Sequence, residues 1–252
     1  MKKILFLIIT LLAGTKSYSQ FDFFNTAPEV YIYGDYNLSK INCSGLNFVI
    51  DRYNQTRTSL PLSKTMEHLE NINGWGGGIG LSIQRTIFFE LGYNYRKGTV
   101  SAELTEAGAR TIREVRQTIG TFSFVFGGFV TKSPFVDLTA GGGFDFGTTN
   151  YSTRKYVDGS SVPDFSDIQN TDNFVFGVTP FIEMHITPPM SAFEFVVKPY
   201  YQFHILKTDF SNLNQAINPN TYLGDNSDDQ KGALNNYGIE FRLVVKFGKS
   251  LF

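Results

Sequence analysis

The stretch Tyr237-Gly238-Ile239-Glu240-Phe241-Arg242-Leu243-Val244-Val245-Lys246-Phe247 separates into two faces when every second residue is read. One face carries Tyr237, Ile239, Phe241, Leu243, Val245 and Phe247; the other carries Gly238, Glu240, Arg242, Val244 and Lys246. A period of two is the mark of a strand whose faces meet different surroundings. The apolar face is unbroken and aromatic at both ends, and it lies near the C-terminus. That is the pattern of a lipid-facing strand in an outer-membrane barrel.

Working outward, the N-terminus reads as an export signal. Lys2 and Lys3 precede an apolar run from Ile4 to Ala13, and Ser17-Tyr18-Ser19 places small residues before Gln20. This predicts a signal peptide over residues 1–19 and a barrel domain over 20–252. Ten residues are too few to cross a bilayer as a helix, and no later run reaches about 18 apolar residues. A helical membrane protein is thereby excluded. Without Lys2, Lys3 and Lys16, the 22 basic residues become 19 against 23 acidic, a net charge of −4 that gives no support for nucleic-acid binding. Cys43, the single cysteine, lies far from the cut, so neither lipid anchoring there nor an internal disulfide is expected.

Eight strands are predicted. The first is Glu29–Tyr36, with Tyr31, Tyr33 and Asp35 opposite Val30 and Ile32. A long connection, 37–73, follows. Within it Leu46, Val49, Ile50 and Tyr53 recur at helical spacing, Pro61 ends that helix, and a second turn is expected at Met66–Leu69. Strand two, Trp75–Gln84, turns Gly76, Gly78, Gly80 and Ser82 to one side, which leaves room for larger neighbours. Strand three begins at Ile87. The polar segment Thr99–Gln117 predicts a hairpin standing above the membrane and turning at Glu106–Ala109; a helix over Ala102–Gln117 is the rival. Strand four spans Ile119–Val130 within lipid, and strand five Phe135–Thr148. A loop is read over Thr149–Thr171. Strands six (Asn173–Ile186) and seven (Ser191–Leu206) carry Pro180 and Pro199, each predicting a bulge. Lys207–Leu234 reads as the last polar loop, and strand eight is the opening stretch.

The connections alternate long and short, with tight turns at Gln84–Thr86, Thr131–Pro134 and Thr187–Met190. This is an all-β, eight-stranded, antiparallel up-and-down transmembrane barrel, with short periplasmic turns and long extracellular loops. Closure is required, because lipid offers no partner to an open sheet edge. The inward faces hold Glu90, Arg96, Asp137, Asp145, Glu183, Glu194, Lys198, Glu240, Arg242 and Lys246. An eight-stranded barrel is about wide enough for side chains to fill, so a packed polar core is expected, not an open pore.

The signal, the aromatic-rich strands, the three tight turns and the terminal Phe252 resemble the small outer-membrane barrels grouped as PorT-like; OmpA-type domains are similar in architecture. Leu46–Asn54 also resembles a stretch in uncharacterised members of that group. PorT itself belongs to a protein-secretion machinery. No C-terminal peptidoglycan-binding domain is expected, since the sequence stops five residues after Phe247.

Candidate sites are few. His185 and His204 face inward near opposite ends of adjacent strands, with no third ligand for a metal. Residues 225–229 (Asp-Asn-Ser-Asp-Asp) place oxygens like a calcium loop but lack the Gly and Glu of an EF-hand. Cys43 reads as a free thiol in the first loop. His68 is the histidine placed clearly outside. No Gly-x-Ser-x-Gly or His-Glu-x-x-His signature occurs. No catalytic, cofactor or metal residue is assigned. The expected role is non-catalytic: an outer-membrane protein acting through surface loops or as an accessory subunit of a secretion or assembly complex. Its expected partners are outer-membrane lipid, including lipopolysaccharide, and envelope proteins meeting residues 37–73 and 98–117. A small passive channel and a lipid-modifying enzyme are the alternatives.

Overall fold

A computed structural model describes residues 28–60, 62–133, 135–168, 173–188, 191–219 and 228–247. In chain order they form β1 (Glu29–Ile41), α1 (Ser44–Gln55), β2 (Leu62–Lys64), β3 (Asn71–Ile83), β4 (Ile87–Glu106), β5 (Ala109–Thr131) and β6 (Val136–Val157). There follow β7 (Ser166–Ile168), β8 (Phe174–Ile186), β9 (Phe193–His204), β10 (Lys207–Asp209) and α2 (Ser211–Ile217). A 3-10 turn (Asp228–Gln230), β11 (Lys231–Ala233) and β12 (Asn236–Phe247) complete the set.

Eight long strands close into one antiparallel ring. Strand β1 pairs with β3 on one side and with β12 on the other. From β3 the ladder runs through β4, β5, β6, β8 and β9 back to β12. The ring leaves no long edge to lipid, as a strand-built membrane span requires. The fold is therefore an eight-stranded transmembrane β-barrel.

The outer surface carries the predicted apolar faces. Ile32, Leu81, Leu91, Phe124, Phe144, Ile182, Phe195 and Leu243 are all exposed. Toward the long-loop end an aromatic girdle forms. Trp75 meets Tyr95 (ring centroids 6.0 Å apart), Tyr93 meets Phe122 (5.0 Å), and Tyr201 stacks on Tyr237 (6.4 Å). Rings with one polar end settle at the membrane–water boundary. Beyond them the outward residues turn polar: Lys97 and Thr99 on β4, Thr148 and Asn150 on β6.

Strands β4, β5 and β6 have 20, 23 and 22 residues, whereas about 9–11 suffice to cross a bilayer. Their upper halves therefore stand above the membrane, where β2 pairs with β4, β7 pairs with β6, and Ala102, Val115 and Tyr151 turn into a buried cluster. The predicted hairpin is present, turning at Ala107 and Gly108 (φ 48° and 80°). The rival helix over Ala102–Gln117 does not form. Residues Thr149–Val157, read as loop, continue β6 instead. Above lipid neither face must be apolar, so alternation fades there while pairing to β5 continues unbroken to Val157.

Other boundaries shift for similar reasons. Strand β1 runs on to Ile41. Met66–Leu69 forms no helical turn: Asn54 holds Met66 by both backbone groups, at 2.9 and 3.0 Å. Neither proline makes a bulge. The register of β8 with β6 is constant through Pro180, and that of β9 with β12 is constant through Pro199. Pairing of β8 with β9 skips residues 179–180 and 182–183. A missing donor thus thins the shared ladder, and the opposite neighbours hold the register. Irregularities do occur elsewhere, in β5 between Phe129 and Thr131 and in β2 between Leu62 and Lys64. Residues 1–19, Pro61, Pro134, Pro189–Met190, Asp225–Ser227 and Phe252 lie outside the described residues.

Candidate functional site

Two differently built layers fill the barrel. The lower one is polar. Arg242, on β12, reaches across the lumen. Its Nη1 donates to Glu90 Oε2 (2.9 Å) and Glu183 Oε1 (3.1 Å), and its Nη2 to Glu240 Oε2 (2.7 Å). The guanidinium also lies 4.5 Å from the Tyr33 ring centre. Lys198 approaches Glu240 and Glu183 at 3.5 and 3.8 Å. Below this hub His185 joins Glu183 to Glu194, and Lys246 pairs with Glu194. Arg85, in the β3–β4 turn, pairs with Asp137. Above it Arg96 donates to Gln202 and Asn236, each at 2.8 Å, and to Tyr200 at 3.3 Å. Buried charges persist only when paired and hydrogen-bonded, and a planar five-donor guanidinium suits that task.

The glycines of β3 make room for this layer. A Cβ on Gly80 would lie 2.2 Å from the Tyr31 ring, and one on Gly78 would lie 2.6 Å from the Tyr33 hydroxyl. Tyr31 thereby swings over the glycines and donates to Glu90 Oε1 at 2.9 Å. Among the described residues the lumen retains cavities, two of them of about 20 Å³ each. That is room for a water molecule or two. The lumen is filled, as its inward charges predict.

The upper layer is apolar, and sequence reasoning saw only half of it. Helix α1 carries Leu46, Val49, Ile50 and Tyr53 inward as predicted. They meet Phe210, Leu213, Ile217 and Leu234, all fully buried, from the segment read as a polar loop. Phe210, Leu213 and Ile217 fall at i, i+3 and i+7, a helical signal present in the sequence and hidden by its polar neighbours. The floor and wall of this core come from Ile72, Ile119, Tyr151 and Val175 on the barrel strands. Folded loops thus sit in the extracellular mouth.

Polar clasps fix this cap. Arg57 donates to the carbonyls of Tyr53 (3.0 Å) and Ile217 (2.7 Å), tying the ends of α1 and α2 together. Asn218 donates to the Val49 carbonyl at 3.2 Å, and Asn214 to Gln230 at 2.8 Å. Gly45 and Gly232 bring α1 against β11: a Cβ on Gly45 would stand 2.7 Å from the Lys231 carbonyl carbon. Cys43 lies buried at this contact. Burial pushes its thiol up to about 11, against the pull of the Leu46 and Gly45 amides. A thiol held neutral and covered is a poor nucleophile.

The remaining sequence candidates separate. His185 sits low in the barrel, whereas His204 lies high on β9 beside Gln202 (3.1 Å). His68 is exposed and pairs with Asp51 at 2.9 Å. Among the described residues no group of His, Cys, Asp and Glu is arranged to hold a metal. Asp228 and Asp229 open the 3-10 turn before β11.

No family model and no curated protein matches this chain. Solved structures do resemble it. Ail, the attachment invasion locus protein of Yersinia pestis, solved with the heparin analogue sucrose octasulfate, shares 10% identity at a TM-score of 0.36. That alignment covers 88% of this chain and 100% of Ail. Neisserial surface protein A (NspA) shares 14% identity at a TM-score of 0.36, over 86% of this chain and 97% of its own. The outer-membrane protease OmpT of Escherichia coli shares 9% identity at 0.34, over 87% and 96%. Likeness at this level decides nothing about role; the closed ring of pairings carries the fold.

Proposed function

We propose that this barrel is a non-catalytic outer-membrane protein that works through its extracellular platform: the folded cap and the sheet of β4, β5 and β6 above it. One observation carries this reading. The mouth is stoppered by a dry apolar core and the lumen beneath is cross-linked by ion pairs, so the exposed chemistry is on the outside. Loops on a rigid scaffold are where such folds carry function. The segments 37–73 and 98–117 both contribute to that platform and are the surfaces offered to a partner. In its specific form, drawn from the PorT-like resemblance, the partner is a larger envelope complex engaged in secretion or assembly. A passive channel would need both layers to move aside.

Affinity purification from outer membranes tests this. The full-length protein should bring down a defined envelope complex. A variant with the β4–β5 hairpin shortened below Val100–Val115 should fold and lose it. Steady single-channel currents from the purified protein in planar bilayers would overturn the proposal.

A further inference from the structure

Above the bilayer, the two faces of the extracellular sheet treat their cations differently. On the outer face Arg110 pairs with Glu103 at 2.7 Å, and Arg154 pairs with Glu114. The other face looks over the cap, since Val115 on β5 and Tyr151 on β6 belong to its apolar core. Arg113 shares that face with Val115, and directly across the ladder from it stands Lys155 of β6. On its other side Arg113 is matched with Ala102 of β4. The flanking rungs, Val100–Val115–Thr153 and Leu104–Thr111–Val157, add no carboxylate. Like charges placed opposite each other across a ladder repel, so this pair calls for an anion.

A third cation joins them. Burial, and with it the charge of Arg113, pushes the Arg57 guanidinium below its ordinary value, so the two side chains lie close together. Arg57 gives its hydrogen bonds to neutral oxygens of Tyr53, Thr56, Ile217 and Asn218, which leaves its charge uncompensated. Arg113 donates to the Thr153 hydroxyl at 3.3 Å. The carboxylates of the cap are engaged elsewhere: Asp51 with His68 (2.9 Å), Asp209 with the Ser211 amide (2.8 Å) and Asp228 with Lys231 (3.7 Å).

Charge and donor geometry name the ligand. Two planar guanidinium forks and an ammonium suit the oxygens of a phosphate or sulfate. Three positive charges also favour a group with more than one negative charge over a single carboxylate. The face looks over the cap and away from the lipid, so the ligand comes from outside the cell and not from the surrounding bilayer.

We propose that Arg113, Lys155 and Arg57 form an extracellular site for a tetrahedral oxoanion, a phosphate or sulfate group. The site lies on the platform described above but does not need an envelope complex, and purified protein tests it separately.

The test is calorimetry on the full-length barrel in a neutral detergent at low salt, with sodium sulfate, dextran sulfate and polyglutamate as probes. At least one sulfate probe should bind, and the double variant Arg113→Gln with Lys155→Gln should bind it about tenfold more weakly. Binding of dextran sulfate alone assigns the site to an ester on a polymer, and binding of sodium sulfate as well assigns it to the free anion. Arg116 lies on the outer face of the same strand, over the Phe165 ring at 3.6 Å. Arg116→Gln should therefore leave affinity within about twofold. No binding of either sulfate probe, polyglutamate binding as tightly as dextran sulfate, or an equal loss in Arg116→Gln would overturn the proposal. Should the double variant fail to fold, Lys155→Gln alone, a change to an exposed side chain, decides: a loss of about threefold is expected, and none refutes the site.

Discussion

The lower lumen and the capped mouth solve one problem, filling a cylinder, with opposite chemistry. Below, the wall is clothed in lipid-facing apolar residues and the interior is ionic. Above, the wall faces water and the interior is a dry cluster of Leu46, Ile50, Phe210, Leu213 and Leu234. The level of the bilayer explains the inversion. In lipid the strands turn most of their apolar side chains outward, so the charged groups gather inside, with Phe88, Val125, Phe181 and Tyr200 packed among them. Above lipid the hydrophobic effect again drives apolar groups inward, and the loops fold as a small water-soluble domain would. The two layers should therefore fail independently.

The largest effect is expected at the ionic hub. Arg242→Met leaves Glu90, Glu183 and Glu240 without their shared cation, and breaking a buried charge cluster from one side costs about 3–5 kcal/mol. Urea unfolding of the barrel in lipid vesicles should show it, while below that transition proteolysis of the cap should proceed as in the unmodified protein. Leu46→Ala attacks the other layer. Removing that fully buried side chain should cost about 3 kcal/mol. Limited proteolysis should then cut within 44–55 or 207–234, while the unfolding temperature of the strands in SDS stays where it was. If Leu46→Ala melts both layers together, the independence is wrong.

Cys43 gives a pH probe of the cap alone. Its folded value of about 11 lies above the ordinary 9.0, so the folded state holds the proton more tightly. The resulting stability is complete below pH about 9 and declines as pH rises from there to about 11, by no more than about 3 kcal/mol. Maleimide labelling should accelerate over that window beyond the rise due to thiolate formation. Cys43→Ala should remove the matching pH dependence of proteolysis. Smallest is the tip of the β4–β5 hairpin, where Ala107 sits at φ 48°. Ala107→Gly should relieve about 1 kcal/mol of left-handed strain in that hairpin, visible as slower amide exchange near Glu106 and Ala109 with no change in the barrel.

Legibility in the sequence follows the same division. Within lipid every second residue must be apolar, so Phe122-Ser123-Phe124-Val125-Phe126 and the stretch from Tyr237 declare their faces without help. The inward glycines of β3 announced large neighbours, and Tyr31 and Tyr33 are those neighbours. Outside lipid the constraint lapses. Thr149–Val157 looks like loop because no solvent boundary imprints a period on it, and Pro180 looks like a bulge because the sequence does not show which neighbours hold its strand in place.

From its residues alone the chain determined an eight-stranded closed cylinder, its orientation by loop length, and an interior of charges. Those are local consequences of alternation and of a bilayer that accepts no unpaired backbone. Only the tertiary structure decided which carboxylate meets which cation, and that α1 and α2 close the mouth together. Such facts depend on residues some 160 positions apart, as with Arg57 and the Ile217 carbonyl, and no single stretch holds both partners.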